Sequence, residues 1–286
     1  MKRGIVLLLA LAFLSSCATV DMGEIREHMG MITATAGAAR KAMRPISDEE
    51  EYYVGRAVAA RILSSYPLST DQRLAAYINM VGQTVSLHSE KPCTYGGYHF
   101  ALLESAEMNA FACPGGIVFI TRGMLNAVNT EDELAAVLAH EIAHVNKRDG
   151  ISAIKQSRWT EAVAIIGSTA AREYGSTEFS QLVDIFEGSV DDVVKTIIEN
   201  GYGKSQEYSA DKTALVYLSK SAYDPSALKN FLERTVEGGN ASGGGLFKTH
   251  PATADRLENI KDDLPAEGAD ILMAQKRAGR FISEIR

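Results

Sequence analysis

The stretch TEDELAAVLAHEIAHVNKR, residues 130–148, decides the fold. Thr130 followed three residues later by Glu133 is a capping-box pattern, and Glu131 and Asp132 suit the positive end of a helix dipole. Lys147 and Arg148 suit the negative end, and Gly150 lies beyond. Leu134, Leu138, Ile142 and Val145 form one apolar stripe that predicts burial against a core. At about 100° per residue, His140 and His144 differ by about 40° around the axis, so both imidazoles point the same way. Two ring nitrogens so placed suit zinc, with Glu141 one residue round to touch a bound water. The bland reading is two solvated surface histidines beside a glutamate. A capped amphipathic helix, unlike a loop, argues against it.

A catalytic zinc takes a third protein ligand and keeps one position open. His28, His88 and His99 lie upstream without a partner pattern. Downstream, Glu207-Tyr208-Ser209-Ala210-Asp211 falls on a predicted helix from 205 to 220. Glu207 and Asp211 share a face, so the glutamate can ligate while Asp211 orients a histidine. The same spacing also describes a solvated acidic helix face.

Around these motifs the chain reads as mainly helical with a few strands. Ser47 with Glu50 matches a second capping box, and Val54, Val58 and Ile62 continue at helical spacing. Leu74, Ile78, Val81 and Val85 line one side of a helix over 71–85. β-Formers cluster at 98–103 and 117–121, the second run preceded by the turn Pro114-Gly115-Gly116. Residues 151–200 are apolar and mostly helical in pattern. Helices are also predicted near 226–236 and 267–284, and five glycines in 238–245 make a loop before Thr249-His250-Pro251. The 286 residues carry 29 basic and 36 acidic side chains, a net charge of −7. That balance, without a basic run beyond Lys2-Arg3, argues against nucleic-acid binding. The one long apolar run is too short to span a bilayer, which excludes a multi-pass membrane protein.

That run, Ile5 to Leu14, follows Lys2-Arg3 and precedes Ser15-Ser16, the arrangement of an export signal. Leu14-Ser15-Ser16-Cys17 resembles the bacterial lipobox, in which the cysteine is lipidated and becomes the mature N-terminus. Ala18 after it, rather than aspartate, implies retention at the periplasmic side of the outer membrane. In an oxidising compartment Cys93 and Cys113, the remaining pair, are expected to form a disulfide worth about 3 kcal/mol. Two buried free thiols are the alternative.

Taken in order, the motifs resemble the HtpX-like and CAAX-prenyl-protease-type zinc metallopeptidases, metallopeptidase family forty-eight, in their soluble exported lipoprotein branch. The resemblance spans roughly 47–262. It rests on Asn109-Ala110-Phe111-Ala112 with Pro114-Gly115-Gly116, on Thr121-Arg122-Gly123-Met124-Leu125, and on His140 to His144. Glu207 to Asp211 and His250-Pro251 with Arg256 complete it. Gln206 stands where an arginine is common, and Asp149 where a histidine is frequent.

The resemblance implies an α+β, mainly α, gluzincin-type fold: a zinc helix, a small sheet whose edge strand borders the cleft, and a helical C-terminal part. With the N-terminal reading, the chain is expected to divide into a signal (1–16), a tether (17–46), a zinc metallopeptidase domain (47–264) and a C-terminal helix (265–286). The resemblance also implies one zinc per chain on His140, His144 and Glu207, with Asp211 behind a histidine ligand and Glu141 as general base. An extended substrate is expected along Asn109, Ala110, Phe111 and Ala112, with Arg256 also contacting it. His250 is expected as a second catalytic group, donating to the oxyanion over an occupied cleft and lying near the open zinc position otherwise. The implied substrates are unfolded or misassembled envelope proteins. A zinc-stabilised assembly factor or chaperone with a latent site, binding envelope assembly proteins, is the alternative.

Overall fold

The computed structural model describes residues 45–155, 158, 161, 176–237, 249–250, 253–264 and 271–285. The expected signal, Cys17, most of the tether and the glycine loop lie outside them. Helix α1 (Asp48–Leu63) begins at Ser47, whose side chain and Glu50 close the expected capping box. Helix α2 (Gln72–Ser86) starts at Asp71, which accepts from Leu74 N–H at 3.0 Å. Strands β1 (His99–Leu103), β2 (Ala110–Ala112) and β3 (Ile117–Thr121) follow, with a 3-10 turn at Pro114–Gly116. A short helix α3 (Arg122–Ala127) leads to the motif helix α4 (Glu131–Lys147). Thr130 caps α4 through Glu133 N–H at 3.1 Å, but the Glu133 carboxylate turns to Asn129 N–H and Arg234, so the box is only half formed.

The sheet order is β1-β3-β2, with β1 parallel to β3 (His99 opposite Ile117) and β2 antiparallel to it (Ala110 opposite Ile120). Alternation of side chains gives the sheet two packed faces. Ala110, Ala112, Val118 and Ile120 face a core built around α4, with Ile78 and Val81 of α2. Leu103, Phe111 and Phe119 face a second cluster with Val58 and Ile62 of α1. Gly55 lets α1 press on the turn, since a Cβ there would fall 1.8 Å from the Pro114 carbonyl oxygen.

After α5 (Asp149–Ser152) and α6 (Ser176–Val194), a π-helical stretch (Lys195–Asn200) leads into α7 (Lys204–Lys220). Helices α8 (Ser226–Glu237), α9 (Thr253–Ile260) and α10 (Ile271–Ile285) complete the described chain. Helix α4 packs against α2, α7, α8, α10 and β2 and is buried throughout 133–145. The ligand face of α4, expected as the open side of an amphipathic helix, is therefore buried too. The fold is mainly helical with one small sheet, and no described helix is long and apolar enough to cross a membrane.

Candidate metal centre

Helix α4 supplies His140 and His144, α7 supplies Glu207 from its first turn, and His250 arrives just before α9. The four are buried, and one ligand atom from each lies within 4.8 Å of the others. His140 Nε2 and His144 Nε2 are 3.0 Å apart, and Glu207 oxygens stand 3.5 and 3.4 Å from them. His250 Nδ1 lies 3.0 Å from Glu207 Oε1 and 3.3 Å from His140 Nε2.

The remaining ring nitrogens explain why the donors face inward. His140 Nδ1 is 2.9 Å from Asp211 Oδ1, and His144 Nδ1 is 2.7 Å from Asp149 Oδ2. A carboxylate at Nδ1 takes that nitrogen's proton as its hydrogen bond, leaving Nε2 as a lone pair. Two lone pairs 3.0 Å apart, beside a carboxylate, call for a cation between them. Donors bound tetrahedrally to zinc at about 2.0–2.1 Å lie about 3.3 Å from one another, so the observed spacings fit zinc.

The carboxylates around the histidines draw positive charge into the cluster. Burial pushes the Glu207 carboxyl up, but His250, Arg256 and the two motif histidines outweigh it and hold it well below the usual range. Burial pulls His144 down, while Asp149 and Glu207 raise it to about 9. Burial and Arg256 pull His140 down, yet Asp211 and Glu207 raise it overall. The cluster favours positive charge.

Glu141 is 1% exposed, with Oε1 3.7 Å from His250 Nε2. Beside it lies a small pocket walled by Val137, Leu228, Phe231, Leu232 and Arg256. Strand β2 is the sheet edge nearest the cluster. Thr121 N–H donates to Asn109 O and Cys113 N–H to Ile117 O, so the backbone of Ala110 and Ala112 points away from β3. Asn109 Oδ1 accepts from Ala110 N–H at 2.9 Å. Phe111 has its side chain in the core behind the strand and its backbone turned toward Phe119 of β3, so it adds nothing to the free edge.

Arg256, expected to contact substrate, also holds the site's carboxylates: Nε and Nη2 reach Asp211 at 2.8 and 2.6 Å, and Nη1 is 3.3 Å from Glu207. A buried guanidinium with all three nitrogens committed balances the carboxylates. Cys93 and Cys113 form no bridge; Cys93 is an exposed thiol and Cys113 a buried one. Cys113 is packed among Val58, Phe111 and Phe119, and burial, aided by Glu141, pushes its thiol well up.

Asp149 and Tyr202 are functional neighbours that sequence reasoning missed. Asp149 reaches His144 only because Arg148 ends α4 in the left-handed region (φ 58°). Tyr202 stacks on His144 with ring centroids 4.2 Å apart, and its closeness to Glu207 in the chain is the sole signal.

Fold and site together have the arrangement of a metallopeptidase: a motif helix with two histidines and a glutamate, beside a glutamate from a second helix. The chain belongs to peptidase family M48, which matches residues 69–263. It is 28% identical over 248 residues to the beta-barrel assembly-enhancing protease of Yersinia pestis, covering 81% of this chain and 49% of that one. It is 25% identical over 197 residues to metalloprotease LoiP of Escherichia coli, covering 69% and 71%. Over 159 residues it is 33% identical to the mitochondrial metalloendopeptidase OMA1 of Schizosaccharomyces pombe, covering 55% and 44%. The chain thus spans about half the length of the beta-barrel assembly-enhancing proteases it matches.

Proposed function

We propose that the protein is a zinc-dependent endopeptidase of the cell envelope that hydrolyses extended segments of unfolded or misassembled proteins. The observation that carries this reading is the buried Glu141 beside the inward-facing donors of His140, His144 and Glu207. One zinc per chain, held by those three residues, would supply Lewis-acid polarisation of the scissile carbonyl and a water acidified toward ~7. Glu141 takes the attacking water's proton and passes it to the leaving amine. Asp211 and Asp149 keep the two histidines oriented. The substrate lies along β2, bonding to the outward backbone of Ala110 and Ala112, which reads main chain more than side chains. His250 shifts from Glu207 to donate to the developing oxyanion when the cleft fills.

Relatives named for β-barrel assembly support an envelope substrate. The signal-like N-terminus supports export, with Cys17 lipidated and the domain tethered at the periplasmic side of the outer membrane. A second reading, an assembly factor with a latent site, draws on His250 as a fourth donor that would close the coordination. Casein digestion with and without a chelator, beside the Glu141→Gln protein, tests the reading. Chelator-sensitive cleavage lost in Glu141→Gln at unchanged zinc content supports a peptidase; wild-type protein inert toward casein with zinc bound favours the latent factor.

A further inference from the structure

The two positions at which the chain departs from the resembled pattern, Asp149 and Gln206, touch each other. Gln206 Nε2 donates to Asp149 Oδ1 at 2.9 Å, and the other oxygen of Asp149 takes the His144 Nδ1–H at 2.7 Å. Neither contact is an accident of a loose surface. Asp149 is 7% exposed, and Arg148 turns the chain under the His144 ring. Arg148 is itself held by the buried Glu51 at 2.9 Å and by Ile46 O at 2.6 Å. On the other side, Gln206 Oε1 accepts from Gly203 N–H at 3.1 Å, and its amide nitrogen also reaches Ser152 Oγ at 3.3 Å. One amide therefore joins the start of α7, which carries Glu207, to the turn that carries Asp149.

The two carboxylates behind the histidines differ in their own partners. Asp211 is neutralised by the fork of Arg256, whereas Gln206 gives Asp149 a hydrogen bond and no charge. Asp149 thus keeps its full negative charge for His144 and makes that imidazole the stronger donor. An arginine at 206 would offer a bidentate fork and compete with His144 for the same carboxylate.

We propose that Asp149, held by Gln206, is the positioning residue of His144 and sets how tightly this chain retains its metal. The inference rests on the metallopeptidase reading of the cluster, but its test needs no substrate. Zinc affinity is measured on the full exported chain by competition with a chromogenic chelator, with apoprotein melting followed by circular dichroism to show that each variant folds. Asp149→Ala should weaken zinc binding 10–100-fold. Asp149→Asn, isosteric and still able to accept from Nδ1, should recover part of that loss. Gln206→Ala should weaken binding by a smaller factor and add nothing in the Asp149→Ala background, because it acts through Asp149. Wild-type affinity in both Asp149 variants would overturn the proposal, as would an equal Gln206→Ala effect in either background. An inert but zinc-loaded wild type would instead count against the peptidase reading alone, and a wild type that binds no zinc overturns both.

Discussion

His250 Nδ1 lies 3.0 Å from Glu207 Oε1 and 3.3 Å from His140 Nε2, so a histidine 110 positions from His140 shares its donor cluster. A catalytic zinc takes three protein donors, and this cluster offers four. The His250 Nε2 also stands 3.7 Å from Glu141, the proposed base.

His250→Ala should keep about one zinc per chain, because three donors remain, and should lower kcat about 10²–10³-fold with little change in KM. Single-turnover and steady-state peptide cleavage with elemental analysis of the same sample read both quantities. An unchanged kcat would remove His250 from the chemistry.

Glu207→Ala should lower zinc occupancy sharply, whereas Glu199→Ala should not. Glu207 is fully buried among the donors, while Glu199 is exposed on the π-helical stretch before α7. Equal zinc content in the two variants would sink the assignment of the third ligand.

Native protein should expose one reactive thiol at Cys93 and a second, Cys113, only after denaturation. Cys113 is 0% exposed and its thiol is pushed well up, so little thiolate forms at neutral pH. Labelling with a thiol reagent before and after guanidinium counts them. Two protected cysteines released only by reductant would restore the bridge.

The cysteines show where the sequence stops speaking. Export and a separation of twenty residues permit a bridge, but burial depends on which sheet face Cys113 shares with Phe111, a tertiary fact. Helices α1 and α4 were legible because Ser47 and Thr130 cap them through bonds only three residues long, and α2 because Leu74, Ile78, Val81 and Val85 recur at helical spacing. His140 and His144 were legible because helical spacing puts them on one face before any tertiary contact is known, whereas Glu207 came from the family resemblance, since its spacing to Asp211 also describes a solvated acidic face. Asp149 was not, since its reach to His144 needs a left-handed residue at Arg148 that no periodicity announces. The ion pairs of Arg256 with Glu207 and Asp211 were not legible either, because they join side chains about fifty positions apart.

Gly201→Ala should loosen His250 without touching any donor. Gly201 has φ +73°, and a Cβ there would fall 2.1 Å from the Thr249 carbonyl oxygen, which also accepts from Tyr202 N–H at 3.1 Å. An alanine is therefore strained in its own backbone and collides with the residue immediately before His250. Such strain costs about 1–3 kcal/mol, which either lowers the melting temperature or is relieved by moving residues 249–250 away from α7. Relief by movement takes His250 from Glu207 while His140, His144 and Glu207 stay on their helices. The expected signature is zinc content near one per chain, a melting temperature lowered by a few degrees, and a kcat that falls toward the His250→Ala value. In the double variant Gly201→Ala/His250→Ala the kcat loss should not add, since both changes act on the same side chain. Additive losses in kcat would show that Gly201 supports the cleft by another route, and the link from Thr249 to His250 would be wrong.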